Sequence, residues 1–173
     1  WITGLWLTPQ VQTGHASSLD VAVVQPNIHL SQKWKPGGAR ENIASLIKYS
    51  ESAIEDNVDL IVWPESATSV NILRGNPYNL NRIQSSLDDT KLISGIPYNS
   101  GSNLNRLVYN SVVMISSDSV SKLYHKIKLV PMAEYIPLSE YFPFLKKFTL
   151  GILGNCTRGK EYILYDIKDT KFA

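Results

Sequence analysis

Two short β-branched runs, each stopped by a proline, flank one amphipathic stretch, and this alternation restricts the chain to a sheet with helical crossovers. Leu19 to Pro26 reads as a buried strand, and so does Asp59 to Trp63, which is followed by Pro64. Between them, Pro36-Gly37-Gly38 opens a segment in which Ile43, Leu46, Ile47, Ser50 and Ile54 recur at helical spacing. That spacing predicts a helix over 39–56 with one apolar face. A weaker helical pattern over 77–88 leads to a third strand, Lys91 to Ile96. Val108–Ser116 and Ser119–His125 predict a hairpin about Ser117-Asp118. Residues 129–150 mix prolines with aromatics and are expected to be a long ordered loop with short helical pieces. Tyr162–Ile167 predicts another strand, and Lys171-Phe172-Ala173 the beginning of one more. Strand, helix, strand, helix, strand and then a hairpin argue for an α/β sandwich rather than an all-β fold.

Composition narrows the function classes. A chain of 173 residues with 43% hydrophobic and 18% charged side chains is suited to one domain with its own core. The net charge of +2, with no basic stripe interleaved with aromatics, gives no case for nucleic acid. One cysteine excludes an internal disulfide framework and a multi-cysteine zinc site. His15, His29 and His125 share no metal-ligand spacing, so neither a metal nor a cofactor is expected. Residues 1–9, from Trp1 through Trp6 to Pro9, are apolar and have two readings: a terminus packed on the domain, or the last turns of a membrane helix. No stretch reaches the roughly 20 apolar residues that span a bilayer. Residues 1–18 are therefore expected to be a membrane-proximal end plus linker, and 19–173 the domain, in a chain that lacks an initiator methionine and is expected to be a fragment.

Four residues attract chemical attention. Glu65 follows a β-branched strand directly, which places a carboxylate past a strand's C-terminal end, where open α/β sheets bind their ligands. Half-buried beside Trp63, it would have its pKa raised by desolvation, as suits a general base; a helix-capping or loop carboxylate is the competing reading. Lys126 ends a strand ahead of Leu129-Val130-Pro131 and could stabilise an oxyanion, although Lys122 and Lys128 lie nearby and spacing alone does not choose among them. Glu134 lies between Pro131 and Pro137, which would hold its charge in place. Cys156 sits in a Gly154-Asn155-Cys156-Thr157-Arg158-Gly159 loop with no strand leading in, a poor setting for an activated thiol.

Glu65 followed by Lys126, each at a strand end, resembles the order of the Glu-Lys-Cys triad of the carbon–nitrogen hydrolases. Within that superfamily the likeness is greatest to the apolipoprotein N-acyltransferases. It is carried by Val21 to Ile28 with Lys33-Trp34, by Trp63-Pro64-Glu65, by Gly95-Ile96-Pro97-Tyr98 and by Tyr109-Asn110-Ser111. Tyr124-His125-Lys126 with Leu129-Val130-Pro131, and Glu134 to Leu138, complete it. The alignment selects Lys126 over its neighbours. Met132-Ala133 depart from the family's usual Phe-Gly, Lys128 stands where the family often has His, and Cys156 falls where an apolar residue is usual.

The resemblance implies the front half of a nitrilase-type α-β-β-α sandwich, with Glu65 as base, Lys126 at the oxyanion and Glu134 in support. It also implies a nucleophilic cysteine that follows a strand like the one begun at Lys171, and so is absent from this chain. The activity implied for the whole enzyme is transfer of a fatty acyl chain from phospholipid to a lipidated apolipoprotein. The site would face the outer, periplasmic side of the bacterial cytoplasmic membrane. A soluble amidase or nitrilase and a catalytically inactive fragment are the alternatives.

Overall fold

The computed structural model describes residues 18–74, 77–102, 106–139, 141, 142, 144 and 155–172. The expectation of a membrane-helix end over residues 1–9 lies outside them. Among the described residues, no helix is long and apolar enough to cross a membrane.

The chain runs β1 (Val21–Val23), α1 (Leu30–Lys33), α2 (Gly38–Glu55), β2 (Leu60–Val62), α3 (Tyr78–Gln84), β3 (Lys91–Ser100), β4 (Leu107–Ile115), β5 (Tyr124–His125), β6 (Tyr165–Ile167) and β7 (Thr170–Phe172). β1 to β5 form one sheet in sequence order. β1, β2 and β3 are parallel, β4 is antiparallel to β3, and β5 is antiparallel to β4. β6 and β7 form a separate antiparallel hairpin.

One face of the sheet carries the helices. Ile43, Leu46 and Ala53 of α2 and Ile83 of α3 join Ile61, Leu92, Ile96, Val113 and Ile115 in the core cluster. The strand members alternate as period-two geometry requires. Ser50 belongs to the apolar stripe because its hydroxyl accepts from the Trp63 indole at 3.0 Å while donating to Leu46 O at 2.9 Å. The β6–β7 hairpin is tied to the sheet through the Tyr165 hydroxyl, which donates to Val112 O at 3.0 Å.

Several expectations need correction. β1 was expected to be buried, yet Val23 is 73% exposed: among the described residues β1 pairs with β2 alone and stands at the end of the strand order. The strand expected over 119–125 shrinks to a single bridge at Val120 and the two residues of β5. Ser121 Oγ takes the Met114 N–H at 2.9 Å, capturing a donor the ladder would have used. The strand expected over 162–167 begins only at Tyr165. Between Pro131 and Phe142 the described residues form turns, not α-helix.

Candidate active site

Sheet topology brings three chain segments to one edge. β2 ends at Val62 and the chain continues through Trp63-Pro64 to Glu65. β4 runs the other way, so Asn110, paired with Pro97, lies near its start at that same edge. β5 reverses again, and Lys126 follows it directly, its amide donating to Asn110 O at 2.8 Å.

Glu65 must pass over β3 to reach Lys126, and Gly95 permits it. A Cβ on Gly95 would stand 2.7 Å from both Glu65 Cα and Ser66 N and 2.9 Å from Pro64 O, closer than side chains approach backbone. Ser66 turns the chain with φ 51, and Ala67 N donates to Gly95 O at 2.8 Å. The turn carries Glu65 away from the helix layer that holds Trp63.

Lys126 Nζ lies 3.0 Å from Glu65 Oε1 and 3.1 Å from Glu134 Oε1. Asn110 Nδ2 donates to Glu134 Oε1 at 2.7 Å and also to Glu65 Oε1. Glu134 Oε2 accepts the Val130 N–H at 2.8 Å. Burial alone would push Lys126 down, but its bonds to Glu65 and Glu134 more than reverse this and hold it above the ordinary lysine value. Burial likewise pushes Glu134 up, and the Val130 N–H, the Asn110 amide and Lys126 outweigh it, leaving the carboxyl below its usual range. Both groups are therefore charged at neutral pH.

Glu65 departs from expectation. Its side chain is 62% exposed, against 13% for Glu134, so it is not half-buried beside Trp63 as expected. The turn over Gly95 separates the two side chains. What surrounds Glu65 instead is charge: Lys126 on one side, and on the other Lys33, whose Nζ donates to Glu65 O at 3.0 Å. Burial lowers the Lys33 pKa, with the charge of Glu65 opposing. A cleft of about 180 Å³ opens beside this contact, walled by Gln25, Pro26, Ile28, Lys33 and Pro64.

Residues 155–159 lace the site together. Asn155 Oδ1 accepts from Ile136 N at 3.2 Å, Cys156 N donates to Glu134 O at 2.6 Å, and Gly159 N donates to Lys126 O at 3.0 Å. Cys156 is buried, and burial together with the charge of Glu134 pushes its thiol up to about 11. At neutral pH it is a protonated packing residue, the wrong state for a nucleophile.

All three residues selected from sequence thus meet in one cluster. Asn110 was not selected, though an Asn inside the apolar run Val108–Ile115 disfavours a strand and so signals another reason for its presence. Gly95 could have been suspected for the same reason, because glycine inside a strand often marks close backbone approach. Lys33 carried no local signal beyond its place in the Lys-Trp pair.

The fold and this edge define a class. The carbon–nitrogen hydrolase profile matches residues 20–172, and the chain belongs to that family. Among curated relatives, apolipoprotein N-acyltransferase of Pseudomonas paraeruginosa is 32% identical over 140 residues, covering 78% of this chain and 26% of its own length. Apolipoprotein N-acyltransferase 2 of Treponema denticola is 31% identical over 169 residues, covering 90% of this chain and 31% of its own. The chain therefore spans between a quarter and a third of these relatives. A carbon–nitrogen hydrolase superfamily protein of Xanthomonas campestris shares the fold, with a TM-score of 0.56 at 15% identity over 88% of this chain and 51% of that one. The α/β architecture expected from the sequence is the nitrilase type.

Proposed function

We propose that residues 19–173 are part of the catalytic domain of an N-acyltransferase that moves a fatty acyl chain from phospholipid to the N-terminal amine of a lipidated apolipoprotein. The observation that carries this reading is the cluster in which one ammonium, Lys126, bridges Glu65 and Glu134 at the sheet edge. Its support is that relatives named apolipoprotein N-acyltransferase align over most of the chain.

In this mechanism Glu65 takes the proton of a cysteine thiol, and the thiolate attacks the ester carbonyl. Lys126 stabilises the oxyanion of the tetrahedral intermediate, and Glu134 holds Lys126 in place. The C–O bond breaks, Glu65 returns its proton to the departing lysophospholipid oxygen, and a thioester remains. The apolipoprotein amine then attacks that thioester, Glu65 accepts a proton from it, and the thiolate leaves. The reacting thiol is assigned to a cysteine outside residues 1–173, because Cys156 is buried and protonated. In this reading the two lipid-bearing substrates call for a site at a membrane surface, and the proposed surface is the outer face of the cytoplasmic membrane. An amidase with the same residues would use water in the second step and a small amide in the first.

The test is acyl transfer by the full-length protein from a phospholipid to a diacylglyceryl-cysteine peptide, with the thioester trapped and read by mass spectrometry. Glu65→Gln and Lys126→Met should each lower kcat by at least roughly a hundredfold, and Cys156→Ala should stay near wild type. Transfer by Glu65→Gln within a few-fold of wild type, or acyl groups delivered only to water, would overturn the reading.

A further inference from the structure

Asn110 is the one member of the cluster to which the proposed chemistry gives no task. It stands on β4 with 5% of its surface exposed, next to the β5 end that carries Lys126. Its Nδ2 donates to Oε1 of Glu65 and to Oε1 of Glu134, and Lys126 Nζ reaches those same two oxygens. Two nitrogens each touch both oxygens, closing a four-atom ring. Ionised carboxylates can only accept, so the amide must turn its nitrogen to them, and its two N–H bonds match the two oxygens one to one.

The residue type matters as much as the geometry. Within the ring, two carboxylates around one ammonium leave one negative charge in excess, met from outside the ring only by Lys33 at the Glu65 backbone carbonyl, and the two like charges repel. An apolar side chain at position 110 would let them separate. A second cation would hold them but would cancel the excess charge, and with it the pull on a substrate proton. An amide does neither.

We propose that Asn110 is a positioning residue for acyl transfer: a neutral double donor that fixes Glu65 and Glu134 about Lys126 while leaving the cluster its excess negative charge. This rests on the acyl-transfer reading of the site.

The test uses the full-length protein in detergent, with Asn110→Ala and the near-isosteric Asn110→Asp assayed for kcat, KM and pH profile. Loss of a charge-assisted donor should lower kcat roughly tenfold to a hundredfold, with donor KM changed less than about threefold. The acidic limb of the kcat profile should move to higher pH, because Glu134 loses one of the bonds that keep it ionised. Asn110→Asp, which adds a third carboxylate, should move it further in the same direction. A residue that merely packs the strand would not move that limb. Folded variants with kcat and profile matching wild type would overturn the proposal, and if Asn110→Ala fails to fold, Asn110→Asp carries the test. Should Glu65→Gln retain transfer, the acyl-transfer reading fails instead, whatever Asn110 does.

Discussion

Glu65 sits on a backbone path that only one residue type at position 95 allows. Replacing Gly95 with Ala puts a Cβ 2.7 Å from Glu65 Cα and Ser66 N, atoms that cannot rotate away as a side-chain tip would. The turn must shift by a sizeable fraction of an ångström, and displacements near 1 Å at a reacting group cost about a hundredfold in rate. Overpacking of this kind costs about 1–3 kcal/mol in stability. Gly95→Ala should therefore lose most transfer activity while the full-length protein still folds, as measured by kcat alongside a thermal transition. Activity within twofold of wild type would show that the turn adapts without consequence. At this scale the sequence showed the charged residues better than their supports. Glu65, Lys126 and Glu134 stand out because each is a charge at a strand end or between prolines. Asn110 and Gly95 act through neighbours that are distant in sequence, and only the pairing of β2 with β3 and of β4 with its neighbours on both sides brings them near. The expected burial of Glu65 failed for the same reason: adjacency to Trp63 in the chain said nothing about which face the turn would choose.

At the scale of elements, legibility followed how local the cause was. α2 could be read because its stripe repeats within one segment, and β2 because a run of three apolar residues ends at a proline-bearing turn. β5 was overestimated because its pairing is interrupted by a serine side chain, and β1 because a place at the end of the strand order depends on the whole sheet. The contact between α2 and β2 is more than apolar. Trp63 Nε1 is buried and has Ser50 Oγ as its acceptor at 3.0 Å. Ser50→Ala removes that acceptor without altering the apolar stripe, and an orphaned buried donor costs about 1–3 kcal/mol. The variant should unfold at lower temperature or denaturant by that amount. Because Trp63 directly precedes Pro64-Glu65, a modest drop in kcat should accompany it. A fully stable Ser50→Ala protein would mean that the indole finds another acceptor.

For the molecule as a whole, the charged site and the packed interior respond to acid in the same direction. His125 is half-buried, stacked on Tyr109 at 4.2 Å and Tyr98 at 5.6 Å between centroids, with Ser111 Oγ at 2.7 Å from Nδ1. Burial lowers its pKa, and the charge of Glu161, itself paired with Lys122, only partly opposes this. A histidine with a depressed folded pKa binds more protons when unfolded, so stability falls as pH drops from about 6.5 through the folded value. Glu134, also depressed, adds a second loss of the same sign as pH falls below the ordinary carboxylate range. On the alkaline side the raised Lys126 contributes stability that is present below its ordinary value and lost above it. Cys156, raised to about 11, adds a loss that begins near the ordinary thiol value of 9.0. The thermal midpoint of the full-length protein should therefore be flat between about pH 7 and 9. It should decline in two acid stages, the first belonging to His125. His125→Phe keeps a ring against Tyr109 and removes the titration, so its midpoint, though lower throughout for want of the Ser111 bond, should lose the first stage and retain the second. A wild-type midpoint unchanged from pH 7 to pH 5 would show that the imidazole protonates in the folded protein at no cost, and that the aromatic stack does not exclude water from it.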